Sequence, residues 1–266
     1  DPAMPFSLGR IFGPFLDMRR EDDRLEIVLP RYRMNRDHPL DVEWHFVLDC
    51  DAIFIENPVG AGNIELAMTA LLNGVPIWAD WGDDPFTVRF QNPNFAGFSR
   101  REPLLDAVDW FTKFAHVCSV PTETARASFP NKERVRVIPE ACRWQPAVGP
   151  RKKLVTWRGA PGHDEDVRSV LPELCAVAAD PEFKDWQWAL LGAPPKEMIQ
   201  AMKEALGEDP TDWKETDRII IPPFFPTPFH MMHVWQSNAP FIHIVPLPDN
   251  KFNRTKPPNA WMEATA

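Results

Sequence analysis

No part of the chain reaches the roughly 18 consecutive apolar residues that mark a membrane-spanning helix, and the N-terminus lacks the pattern of a secretory signal. There is no basic excess: 29 Lys and Arg face 38 Asp and Glu, a formal charge of −9. General binding to nucleic-acid backbones needs a net basic face, so that class is disfavoured, although a local basic patch is not. The four cysteines, Cys50, Cys118, Cys142 and Cys175, form no Cys-x-x-Cys pair. A zinc knuckle and a dithiol redox motif are therefore missing. Cys118 and Cys175 sit in apolar surroundings, where a thiol packs as a small hydrophobe, and the pattern suits a reducing cytoplasm. Neither Gly-x-Gly-x-x-Gly nor a P-loop occurs, which removes the usual signals for dinucleotide or ATP binding. Solenoid repeats and low-complexity tracts are also lacking.

What remains is globular. At 266 residues the chain has room for two ordinary domains, and 44% hydrophobic with 25% charged residues is the composition of a folded protein. Thirty prolines point to many stiffened loops.

Apolar, β-branched runs alternate with helical spacing. Early in the chain, 17–24 looks helical and 25–29 strand-like. Then 51–56 reads as a strand, 63–72 as a helix stopped by Asn73-Gly74, and 75–79 as a second strand. Such a unit implies parallel strands with a right-handed crossover. Further on come a helix over 103–114, a strand over 115–119, a helix opened by Pro121, and a strand over 134–138. Residues 143–151, with two prolines and a glycine, read as a linker. The alternation then resumes: strand 153–157, glycine turn, helix to 179, strand 186–192, helix 195–206, strand 218–221, helix 227–236 and strand 241–245. The fold class expected is α/β, with two Rossmann-like domains over 1–142 and 152–266.

Polar clusters fall at the carboxyl ends of the expected strands, where open α/β sheets bind ligands. After 75–79 come Asp80, Asp83 and Asp84. Three readings stand for them: a general base for an acceptor hydroxyl, a metal site, or helix caps and a solvated turn. After 153–157 come Arg158, Gly159 and His163. The glycine lets the backbone approach a ligand, and a helix start supplies N–H donors. The plain alternatives are a surface salt bridge for Arg158 and a capping role for His163. Gly192 ends another strand. His230 and His233 are three apart, but a metal would need a third ligand converging on them.

The last forty residues carry the densest signal, Pro246-Leu-Pro-Asp-Asn-Lys-Phe-Asn-Arg-Thr-Lys256, then Trp261-Met-Glu263. Arg254 and Lys256 supply cations suited to phosphate. Glu263 falls about two helical turns beyond Lys256 on the same face, where it can accept from sugar hydroxyls.

This stretch resembles the donor-binding signature of glycosyltransferases with two Rossmann domains, the GT-B fold, of family 1 or 4 type and found in phage and bacterial surface-polysaccharide settings. The matching residues are Pro246, Leu247, Asn250, Phe252, Asn253, Lys256, Trp261 and Glu263. The Trp157-Arg158-Gly159 and His163-x-x-Asp166 segments resemble the start of that family's donor domain. Val135-x-Val-Ile-Pro-Glu140 resembles the end of its first domain, except that Glu140 stands where Asn is usual. Ser7 to Arg10 faintly resembles its acceptor-facing loop.

The resemblance implies two domains facing a central cleft, with further elements after the last motif, so that the second domain is expected to be short at its C-terminus. It implies a hexosyltransferase-like, metal-independent enzyme without a cofactor, moving sugar from a nucleotide-sugar such as a UDP-sugar to a hydroxyl acceptor. Arg158 and Lys256 would meet the charge of the leaving diphosphate, with Gly159, His163, Gly192, Asn253, Arg254 and Glu263 lining the donor site and Asp83 and Asp84 on the acceptor side. A non-catalytic nucleotide- or glycan-binding module of the same fold is the alternative. An enzyme glycosylating hydroxymethylated DNA bases is a third, which the charge of −9 does not favour.

Overall fold

A computed structural model describes residues 13–28, 47–58, 61–88, 101–140, 150–159, 163–212, 214–222 and 239–256. The expected helix over 227–236, the segment Ser7 to Arg10, the histidines His230 and His233, and Glu263 lie outside these residues.

The first half builds a parallel sheet of four strands in chain order: β1 (Ile53–Glu56), β2 (Ile77–Asp80), β3 (Val117–Val120) and β4 (Val135–Val137). Ile53 pairs with Ile77, Trp78 with Val117 and Cys118 with Val135. A helix α1 (Gly13–Glu21) precedes it, and Phe15 meets Phe54 and Trp78 edge-on at 5.5 and 6.1 Å. The crossover α2 (Ala61–Leu72) contributes Ala67 and Ala70 to the core, small residues that let helix and sheet approach. It ends because Gly74, at φ 76°, turns the chain left-handed. The amides of Gly74 and Val75 then bond back to the carbonyls of Leu71 and Ala70. From α3 (Arg101–Phe114), Val108 and Phe111 pack on the same core, with Trp81 and Phe129. A short helix α4 (Glu123–Arg126) follows β3.

The second half builds another parallel sheet, ordered β7 (Ile219–Ile220), β6 (Gln187–Gly192), β5 (Lys152–Gly159), β8 (Pro240–Ile244). The long central strand β5 pairs Trp157 with Leu190 on one side and with Ile244 on the other. Val155 and Trp157 face one layer of helices: α5 (Asp164–Arg168), α6 (Leu171–Ala179) and α7 (Lys196–Ala205). These supply Val167, Leu174, Met198 and Met202 to a separate core. Leu154, Ala189 and Leu191 line the opposite face. The strand order reverses between β5 and β8. Crevices at such a reversal, outside the strands' carboxyl ends, are where α/β sheets take ligands.

The molecule is thus mixed α/β with two parallel sheets, as Rossmann-like domains have. Two sequence expectations need correction. Leu25 to Val28 forms no strand; its apolar-polar pattern lacks a ladder partner among the described residues. The single helix expected up to 179 is two helices. Pro172, in the first turn of α6, has no N–H to bond back, and its ring clashes with the carbonyl four residues earlier, so α5 stops at Arg168. Cys118 and Cys175 are free thiols. Cys118 is buried, its thiol donates to the Phe111 carbonyl at 3.2 Å, and burial pushes it up to about 12, an unreactive packing group.

Among the described residues no helix is long and apolar enough to cross a membrane.

Candidate functional site

The loop after β8 folds on itself before it reaches anything else. Asn250 Oδ1 accepts from the Asn253 amide at 2.8 Å, starting the 3-10 turn Asn253–Thr255. The Arg254, Thr255 and Lys256 amides bond to the carbonyls of Asn250, Phe252 and Asn253. Phe252 is buried, 7% exposed, and pins the loop while its ring passes 4.8 Å from the Lys256 ammonium, a cation–π contact. Arg254 pairs with Asp249 in the open, and pairs of that kind contribute little. Lys256 is drawn inward, its side chain only 16% exposed.

Its destination is Asp166. That carboxylate, 6% exposed, lies 4.0 Å from Lys256 Nζ and 3.0 Å from His163 Nδ1 through Oδ2. Its Oδ1 accepts from Asn253 Nδ2 at 3.2 Å. The same Nδ2 donates to the Pro248 carbonyl at 2.9 Å, which uses both amide hydrogens. Burial alone would raise the Asp166 carboxyl; the hydrogen bonds from His163 and Asn253 and the charge of Lys256 outweigh it and hold the group below the ordinary range. One buried acid therefore ties the segment after β5 to the segment after β8, across the reversal in strand order. His163 makes no side-chain capping bond to α5. It does stand at the N-cap position of that helix, as the capping alternative has it, but its ring is committed to Asp166.

The acidic residues after β2 separate into different roles. Asp80, 1% exposed, accepts a short hydrogen bond from Ser119, whose oxygen in turn accepts from Trp78 Nε1 at 2.6 Å. Asp84 is fully buried, and its Oδ1 accepts from the Phe86 amide at 2.9 Å, closing a turn. Both are structural. Asp83 alone of the three reaches solvent. Protein atoms crowd it even so, and this crowding pushes its carboxyl above the ordinary range, against the pull of Lys256 and His163 and with a further push from Asp84. The charge of Asp83, from the first sheet, thus acts on Lys256 and His163 of the second. A hydrogen bond joins the same two regions: Thr122 Oγ1, beyond β3, donates to the Thr255 carbonyl at 2.9 Å. Loops from the carboxyl ends of both sheets meet here.

Gly159 and Gly192 sit side by side as register partners at the ends of β5 and β6. A Cβ on Gly192 would fall 2.3 Å from the Gly159 carbonyl oxygen, and Gly192 has φ 91°. A Cβ on Gly159 would meet the Trp157 ring at 2.4 Å and His163 Cβ at 3.2 Å. The Ala193 amide bonds to the Gly159 carbonyl at 2.9 Å. Main chain crowds Gly192, and the Trp157 ring and His163 crowd Gly159.

Arg158 has a different neighbourhood from Lys256. By alternation it lies on the face of β5 opposite Trp157, and its charge acts on His243 of β8. His243 shares that face with Thr156: its Nδ1 stands 3.0 Å from Thr156 Oγ1 and 3.2 Å from the Thr156 carbonyl. Burial first, then Arg158, lowers His243 to about 3, so it stays neutral. Among the described residues no three His, Cys, Asp or Glu converge as a metal-ligand set.

Of the sequence candidates, the structure brings together His163, Asn253, Lys256 and, electrostatically, Asp83. Arg254 and Asp84 are engaged elsewhere. Asp166 as hub and Thr122 as bridge were missed; the i, i+3 spacing of His163 and Asp166 was the signal for the first. No protein-family model matches the chain, and no curated protein is significantly similar to it.

Proposed function

We propose that the protein is a GT-B-type glycosyltransferase, moving a sugar from a nucleotide-sugar to a hydroxyl acceptor between loops at the carboxyl ends of two Rossmann-like sheets. The observation that carries this reading is the junction of His163, Asp166, Asn253 and Lys256 at the strand-order reversal of the second sheet, with Asp83 of the first sheet in electrostatic contact. Donor phosphates would lie at the second sheet, where Lys256 meets the charge that develops on the leaving diphosphate, the kind of preorganised electrostatics that contributes most to such reactions; Arg158, which acts on His243 instead, is left out of this scheme. No metal is needed in this scheme.

Asp83 is the acceptor-side base. A base must be ionised and yet hold a proton well, and crowding shifts Asp83 in the second direction while the nearby Lys256 ammonium keeps it from going too far. Asp84 supports the turn that presents it.

The test is a panel of nucleotide-sugars with simple glycan acceptors, read as nucleoside-diphosphate release. Asp83→Asn is expected to lower turnover roughly a hundredfold or more, with donor affinity little changed. Lys256→Ala is expected to lose more in turnover than in donor binding. A folded protein that releases nothing from any donor sinks the reading. Donor binding without release would mark a nucleotide-binding module instead.

A further inference from the structure

We propose that Asp166 is a positioning residue: it sets the imidazole of His163 and the ammonium of Lys256 around one carboxylate, so that a hydrogen-bond acceptor and a cation face a single ligand, a phosphate ester that also carries a hydroxyl. That the ligand is a nucleotide-sugar follows from the transferase reading; the placement of the two groups does not depend on it.

Asp166 is the common partner of the cluster. It is 6% exposed, and Asn253 and His163 hydrogen-bond to its two oxygens. An ionised carboxylate only accepts, and the environment of Asp166 favours its ionised form. The His163 nitrogen 3.0 Å from Oδ2 must then be the one that carries hydrogen. In a neutral ring this leaves Nε2 with its lone pair as the free acceptor. The His163 side chain is 36% exposed, so the ring remains reachable. Lys256 is anchored by the same Oδ2 at 4.0 Å and by the Phe252 ring, which holds its stem below the surface and its charge at the junction. Both groups are thereby indexed to one oxygen atom. Asn253 closes the arrangement from the β8 side, since its amide bridges Asp166 and the Pro248 carbonyl. Without the Asp166 carboxylate the ring loses its reason to prefer one tautomer, and Lys256 and Asn253 lose their common partner.

The direct measurement is the histidine tautomer, read by long-range proton–nitrogen NMR on the full chain labelled at its imidazole nitrogens. His163→Gln assigns the signals. In the wild type, neutral His163 is expected in the Nδ1–H form. In D166A it is expected to move toward the Nε2–H form that an unconstrained imidazole favours, and D166N is expected to fall between them. An unchanged tautomer in either folded variant overturns the proposal. If D166A does not fold, the isosteric D166N supplies the result. A second readout separates positioning from a merely structural role: with a donor that the wild type turns over, D166N is expected to lose at least tenfold in kcat while the donor KM moves less than threefold. Equal losses in both, or none, would count against Asp166 as proposed. A wild type that turns over no donor refutes the transferase reading and leaves the tautomer result standing, so the two failures are distinguishable.

Discussion

At the scale of single residues, Gly192 and His243 show how little room some positions leave. A side chain at Gly192 would collide with main chain, the Gly159 carbonyl, and not with a side chain that can swing away; its φ of 91° adds strain of its own. Gly192→Ala is therefore expected to lower unfolding free energy by roughly 2–4 kcal/mol, measured by denaturant titration at neutral pH. His243 answers to pH. Its folded value of about 3 lies below the ordinary 6.5, so between these limits the unfolded chain binds a proton that the folded chain refuses. The stability tied to neutral His243 is fully present above pH 6.5 and drains as pH falls toward 3, on the order of 5 kcal/mol across the window. His243→Gln, which does not titrate, is expected to flatten the curve of unfolding free energy between pH 7 and 4. An equally steep curve would refute the assignment. Residue identity alone indicated neither effect. Gly192 stood out as a strand end, but the clash depends on a second glycine 33 positions earlier in the chain, and pattern reading does not measure such contacts.

Among the elements, the short helix α4 and the 3-10 turn Asn253–Thr255 depend on one hydroxyl. Thr122 Oγ1 accepts from the Ala125 amide at 3.1 Å as the helix cap and donates to the Thr255 carbonyl at 2.9 Å. Thr122→Val keeps the volume and removes both bonds, an expected cost of about 1–2 kcal/mol; Thr122→Ser is expected to restore most of it. Faster hydrogen exchange at the Ala125 amide in the valine variant, and not in the serine variant, is the check. The strands were legible because buried parallel strands are short apolar runs, and β1, β2, β5, β6 and β8 all begin within two residues of where the runs do. The strand expected at 25–29 satisfied the same pattern without a neighbour to bond, and the break at Pro172 was visible in sequence but outweighed by the apolar period around it. The self-contained loop before Lys256 was legible as a motif. Its attachment to Asp166 was not, because 87 residues separate Asn253 from Asp166.

On the scale of the whole molecule, two hydrophobic cores form without sharing a buried residue. Such halves need not unfold together. Leu190→Ala, in the second core at 1% exposure, is expected to cost about 2–5 kcal/mol and to shift one calorimetric transition while a second holds its temperature. One transition that moves as a unit would mean that the junction at Thr122, Thr255 and Asp83 couples the halves more tightly than its few polar contacts imply. The number of sheets and their parallel sense could be read from the alternation of runs. The reversal between β5 and β8 could not, because strand order is decided by which edge the returning strand joins, and no local pattern encodes that.

The paired glycines at the ends of β5 and β6 also bear on redesign. Because neither position tolerates a Cβ, the wall they form is drawn in peptide groups alone, and selection has no side chain there to vary. Under the proposed transferase reading, diversification of donor preference has to come from the 246–256 loop across the reversal, which is the place to randomise in a library.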